Sequence, residues 1–279
     1  MPFRVLLTVV VFISTCANAL AGTKPEDIVA QHLASIGTAE ARAAVKTRGV
    51  EGTLQFTVVT GGSGTINGHW QILSDDRKSD FVMKFPNQTW WGEQFVFDGS
   101  KVSFATTTQS GQRSPLAAFV ASQDPIIREG LLGGELHTGW ALENVDRHRV
   151  RLDYKGRKKM DGRELDTIEY LYKGNGGMTI RIFFDPETHQ HVMTIYSIAI
   201  APSVAGNDIA NAQQHERLYS LEERFSNFQT DNGLTLPRQY KLRFSEELQN
   251  GRTNVYEWNM TADKVLENPT LDPANFLAK

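Results

Sequence analysis

At Arg48 the chain changes period. From there to residue 262 apolar residues recur at every second position, with one interruption between 107 and 147. Alternation of this kind is the pattern of half-buried β-strands. Leu54, Phe56 and Val58 alternate with polar neighbours before Gly61-Gly62-Ser63-Gly64 turns the chain. Phe81, Met83 and Phe85 share one face, with Lys84 on the other; Phe95 and Phe97 lead into the hairpin signal Asp98-Gly99, followed by Val102 and Phe104. Alternation resumes at Val150, Leu152 and Tyr154 and continues through 163–172, 178–185, 190–200, 216–229, 234–246 and 252–262. Short turns between consecutive strands predict an antiparallel meander. A sheet of about eleven or twelve strands does not stay flat; it splits into layers or curls toward a barrel.

Helical signals frame and interrupt this run. Thr23-Lys24-Pro25-Glu26 is a capping-box pattern, followed at helical spacing by Ile28, Val29, His32, Leu33 and Ile36, with a stop at Gly37. Thr38 is placed to cap a second short helix ending near Val45. Within 107–147, Ser114-Pro115 and Asp124-Pro125 each pair a capping residue with proline at the first helical position. Gly130, Gly133 and Gly134 then predict a segment that bends or moves easily.

Residues 1–21 read as an address rather than structure. Arg4 precedes an apolar run from Val5 to Ile13, and Ala17-Asn18-Ala19 and Ala19-Leu20-Ala21 offer small-x-small cleavage sites. The expected product is an exported, soluble periplasmic protein, a single domain over 22–279. A second reading is a lipid anchor through Cys16, the only cysteine of the 279 residues. That cysteine count excludes an intrachain disulfide and a cysteine-cluster metal site. The formal charge of -3 lacks the basic surplus of a nucleic-acid binder, and no nucleic-acid partner is expected.

Motifs that carry covalent chemistry are missing: there is no GxSxG elbow, phosphate-binding GxxxxGK[ST] loop, HExxH helix or EF-hand loop. Gly174-Asn175-Gly176-Gly177 lies between strands and reads as a turn. His189 and His191 share metal-ligand spacing without a third ligand, and read as two exposed histidines after the Asp185-Pro186-Glu187-Thr188 turn. The adjacent acids Asp75-Asp76, Glu222-Glu223 and Glu246-Glu247 point to opposite faces of their strands, so they form no acid/base pair. No catalytic residue, cofactor or metal is expected.

Two other features suggest binding. Aromatic residues load the early strands and the interruption. An apolar cavity with a lid is expected from Phe81, Met83, Trp90, Trp91, Phe95, Phe97, Phe104, Phe119, Ile127 and Leu131, the 114–134 helices forming the lid. Between Arg147 and Arg163, eight basic residues stand against two acids. A solvated outer face accounts for such a run, and so does a surface docking to anionic lipid or an acidic partner through Arg149, Arg151, Lys155, Arg157, Lys158 and Lys159.

The stretch Lys158-Lys159-Met160-Asp161-Gly162-Arg163-Glu164-Leu165, the strand Ile180-Arg181-Ile182-Phe183-Phe184 closing on Asp185-Pro186-Glu187-Thr188, and Phe225-Ser226-Asn227-Phe228 before Asp231-Asn232-Gly233-Leu234-Thr235-Leu236-Pro237 resemble the LolA/LolB-like superfamily of envelope lipoprotein carriers. The resemblance implies a mainly β fold with helices (α+β), an open antiparallel half-barrel of about 11 strands with a helical plug. It also implies non-covalent carriage of lipid or acylated lipoprotein, with an inner-membrane exporter, an outer-membrane acceptor and transient anionic membrane contact as partners. Two further readings stand beside it. One is an envelope-stress sensor acting through a protein partner; the other is a secreted hydrolase whose residues converge only in space.

Overall fold

A computed structural model describes residues 23–86, 92–106, 113–147, 150–174, 176–200, 216–248 and 251–278. The leader, Trp90, Trp91 and Arg149 lie outside the described residues. Two helices, α1 (Pro25–Ile36) and α2 (Ala39–Ala44), precede five strands: β1 (Thr47–Thr60), β2 (Gly64–Asp75), β3 (Lys78–Lys84), β4 (Gly92–Phe97) and β5 (Val102–Thr106). Helices α3 (Pro115–Ser122) and α4 (Pro125–Arg128) and the 3-10 segments Gly134–Leu136 and Ala141–Arg147 follow. Seven more strands complete the chain: β6 (Val150–Met160), β7 (Arg163–Tyr172), β8 (Thr179–Phe184), β9 (His191–Ile200), β10 (Arg217–Asp231), β11 (Leu234–Glu247) and β12 (Thr253–Glu267), with a 3-10 turn at Pro273–Phe276.

All twelve strands form one antiparallel sheet in the order β5-β4-β3-β2-β1-β12-β11-β10-β9-β8-β7-β6. The meander expected from the alternation is present as two runs, joined where the first strand pairs with the last, from Arg48 opposite Glu267 to Thr60 opposite Val255. The two free edges are thus β5 and β6, the strands that flank the helical segment in sequence. That segment has to carry the chain from one edge of the sheet to the other, and it does so across the apolar face.

The apolar face is bent around its contents. Phe81 on β3 and Tyr240 on β11 are four strands apart, about 19 Å in a flat sheet, yet their ring centroids are 6.1 Å apart. Alternate residues supply the filling: Leu54, Trp70, Ile72, Phe81, Phe95, Tyr196, Leu221, Tyr240, Leu242 and Trp258 all join one buried cluster. At one rim, where β1 begins and β12 ends, α1 touches both β6 and β11. Arg42 of α2 satisfies the terminal carbonyls of Leu33 and Gly37 and pairs with Glu143 at 3.2 Å, fastening this rim to the 3-10 segment.

The capping expectations divide. Thr38 and Ser114 accept from the backbone N–H groups of Ala41 and Ala117. Helix α1 instead starts at Pro25 with Lys24 at its cap and no side-chain capping bond. Asp124 makes no cap either, since its carboxylate is drawn to Arg128, one turn further on.

The basic run falls largely on β6, an exposed edge strand. Four of its charges are met locally: Arg151 and Lys155 by Asp153, Lys155 also by Glu169, Arg157 by Asp166, and Arg163 by Asp185. Gly156, at φ 77, sits in a bulge between Tyr154 and Arg157. A lysine- and arginine-rich, bulged edge is how a sheet keeps an open row of backbone groups from pairing with another chain.

Candidate functional site

The candidate site is the covered face of the sheet with the helical segment across it. The lining residues read from the sequence converge there. Phe81, Met83, Phe95, Phe97, Phe119, Ile127 and Leu131 are all buried in one core cluster, and Phe104 is partly buried against it. They are packed against one another and against the segment that covers them. Two cavities, about 520 and 800 Å³, lie on the other face of β1, β2, β3 and β12. There the alternate residues Thr53, His69 and Lys84 line both, with Gln71 in the smaller and Asn67 in the larger.

The covering segment has two parts with different attachments. Residues 130–141 are bolted to the sheet by buried polar groups. The Glu223 carboxylate on β10 accepts from the Gly133 N–H at 2.7 Å and from the hydroxyls of Tyr196 and Tyr240, each at 2.5 Å. Burial pushes Glu223 above the ordinary carboxylate range even though these donors pull it back. Glu135 lies 2.8 Å from His191 Nδ1, and His191 Nε2 lies 2.7 Å from Thr194 Oγ1. Arg48 donates to the Glu135 carbonyl, the Thr138 N–H to Ser74, and Trp140 Nε1 to His32 Nε2 at 3.0 Å.

The order Glu135–His191–Thr194 has the spacing of a nucleophile relay. All three residues are sealed from solvent, so no substrate atom reaches Thr194. The arrangement is a structural brace.

Two expectations are corrected here. His191 is fully buried and hydrogen-bonded rather than exposed, while His189 is half-buried in a left-handed turn at φ 59, its carbonyl facing His32 Nδ1 at 3.2 Å. The glycines of 130–134 fit close approach rather than mobility. A Cβ on Gly130 would lie 1.9 Å from the Gly139 carbonyl, and one on Gly134 would lie 3.0 Å from Phe225.

Helix α3 is attached differently. Phe119 stacks on Tyr219 and packs against Phe244, at 6.0 and 5.2 Å between centroids. The aromatic contacts continue along the same rim through Tyr256 to Phe56 and Phe85. Leu116, Ala117 and Val120 are buried beside Phe119. Among the described residues, no side chain of 115–122 makes a hydrogen bond or ion pair to the sheet. Near its start lies Glu93 on β4, fully buried, whose two carboxyl oxygens have no hydrogen-bond partner of good geometry. Burial raises its pKa to about 7, and the N–H and hydroxyl of Ser114 at the start of α3 pull it back only in part.

Glu93 escaped the sequence reading, which searched for motifs, and Glu223 entered it only as one of two adjacent acids on opposite strand faces. Their signal was positional: Glu93-x-Phe95-x-Phe97 and Leu221-x-Glu223-x-Phe225 each put a carboxylate on the core-facing register of a strand. Among the described residues no group of three or more histidine, cysteine or acidic side chains is placed to hold a metal. No described helix is long and apolar enough to cross a membrane.

No family model and no curated protein sequence matches the chain. Among solved structures it resembles a domain assigned to outer membrane lipoprotein sorting from Vibrio parahaemolyticus (11% identity, TM-score 0.45, covering 90% of this chain and 95% of that one). It also resembles a DUF1329 family protein from Desulfovibrio piger (11%, TM-score 0.48, 91% and 98%) and a LolA superfamily protein from Nitrosomonas europaea (12%, TM-score 0.42, 92% and 98%).

Proposed function

We propose that the chain is a periplasmic carrier that shelters the acyl chains of a lipid or acylated lipoprotein, without covalent chemistry, in an open half-barrel plugged by residues 113–141. One observation carries this reading. An apolar, aromatic-rich sheet face is covered at one rim by a helix, α3, that among the described residues is held by apolar contacts without a side-chain polar bond to the sheet. A helix held in this way exchanges readily for an acyl chain, because the same contacts serve either occupant. The bolted half, 130–141, is then the floor of the cavity, and Phe119 is the residue that cargo displaces. Phe95, Phe104 and Met83 form the wall near β4 in this reading. Exporter and acceptor proteins and the residues Arg149, Arg151, Lys155, Arg157, Lys158 and Lys159 remain the proposed contacts with membranes and partners.

Native mass spectrometry of the protein, purified from its own envelope without detergent, tests the carrier. The expected result is a chain with co-purifying lipid or lipopeptide mass, lost in Phe119→Glu while the circular dichroism of the fold is kept. A protein without bound mass even after lipid is added, or a Phe119→Glu variant that binds as the parent does, overturns the reading.

A further inference from the structure

On the covered face, Glu93 is a buried ionisable group that its contacts do not balance. Glu93 sits on the core-facing register of β4, opposite Met83 of β3 and Thr106 of β5. Beside Thr106, its neighbours on that face include the apolar Met83, Phe95 and Phe104. Two elements approach it: the start of α3, where the N-capping Ser114 reaches the carboxyl, and α4, which packs on β4 and whose charges are engaged elsewhere, Asp124 with Arg128 and Glu129 with the Tyr170 hydroxyl. Arg113, one residue before the cap, is placed with its guanidinium 5.4 Å over the Phe104 ring. Lys84, the neighbour of Met83, is exposed on the other face. Among the described residues no cation pairs with the carboxyl, and both its oxygens are buried, with Ser114 near them but no hydrogen bond of good geometry. A buried carboxyl without a partner is tolerated when it carries a proton and strongly disfavoured when it does not.

We propose that Glu93 is a proton-operated latch on the start of α3: neutral, it lets Ser114 and the first turn of the helix seat over the carboxyl; ionised, it drives them off so that water can reach the carboxylate. The sign follows from the two environments. Seated, the group holds its proton up to about pH 7; exposed, it releases it near its ordinary 4.5. The seated state therefore binds the proton more tightly, and it is favoured at low pH and weakened as pH rises from 4.5 through 7. Opening should then increase about 30-fold between pH 5.5 and 8.5. The latch rests on the reading of α3 as the movable cover, but its test needs no lipid.

The experiment is hydrogen exchange of the full protein at residues 115–122, without lipid, between pH 5.5 and 8.5. Rates are divided by the intrinsic chemical rate at each pH. Parent protein is expected to lose about 30-fold of its protection across this range, while residues 219–225 of β10 do not change. Glu93→Gln, which keeps the shape and cannot ionise, is expected to show no pH dependence at 115–122. Flat protection in the parent overturns the latch even if the variant does not fold, and so does a Glu93→Gln profile that copies the parent. Failure of the carrier reads differently: pH-dependent exchange with no lipid uptake removes the cargo and leaves the latch.

Discussion

At the residue scale, the core of this protein is distinguished by charged and polar groups on the inside of an apolar sheet. Glu223 is the most connected of them. Truncating it to alanine leaves the Gly133 N–H and the hydroxyls of Tyr196 and Tyr240 buried without their acceptor, so Glu223→Ala should destabilise the fold by about 4 kcal/mol in urea denaturation. Glu223→Gln retains an acceptor oxygen and should lose clearly less. His32 and His137 set the response to acid. Trp140 Nε1 only donates, so His32 Nε2 must accept, and the ring is neutral in the native state. Burial pushes both histidines down from 6.5 to about 4. Because the folded values lie below the unfolded ones, their contribution is full above pH 6.5 and is lost as pH falls toward 4. It amounts to as much as about 3 kcal/mol for each ring. Melting temperature should therefore drop steeply between pH 6.5 and 4, and less steeply in His137→Gln. A melting profile flat over that range would contradict the buried neutral rings.

Among the elements, strands were easier to read than the segment between them. Seven strands after the interruption were legible within a few residues, because one face of each is buried and alternation has to follow. The 113–141 segment kept its helix starts legible at Ser114 but hid its attachments, which depend on residues far away in sequence: Gly133 on Glu223, Glu135 on His191, Trp140 on His32. The glycines illustrate the point. A glycine that permits motion and one that permits contact look identical in sequence, and only the Gly139 carbonyl beside Gly130 separates them. Gly130→Ala should accordingly cost about 3 kcal/mol in denaturant melts, whereas Gly176→Ala, whose added Cβ meets nothing within 4 Å, should cost about 1. The basic run also changes meaning once β6 is seen to be an edge. Replacing Lys155, Lys158 and Lys159 together with valine should raise self-association, measured by light scattering, with the monomer fold unchanged. If instead the triple variant stays monomeric and only loses binding to anionic vesicles, the run serves docking.

On the scale of the whole molecule, cohesion depends on the pairing of β1 with β12. Around it the start of β1 and the end of β12 are fastened: the Asn268 N–H donates to the Thr47 carbonyl, its side chain to the Ala44 carbonyl, and Thr47 Oγ1 to the Pro269 carbonyl. The helical segment ties the two far edges together across the inside, so the sheet is anchored once through its middle and once across its chord. A chain ending at residue 252 keeps eleven strands but loses the pairing that makes them one body. It should show no cooperative near-ultraviolet melting transition, whereas removal of residues 273–279 alone should leave the transition in place.

The same pairing sets an order of events during synthesis. The opening strand of the sheet has no partner on its second side until the closing strand has been made, so the first half waits, unfinished, for the end of the chain. Contacts that span nearly the full sequence form slowly and late. A polypeptide built in this way stays threadable for as long as it is being produced, and becomes a single rigid object only when its last strand arrives.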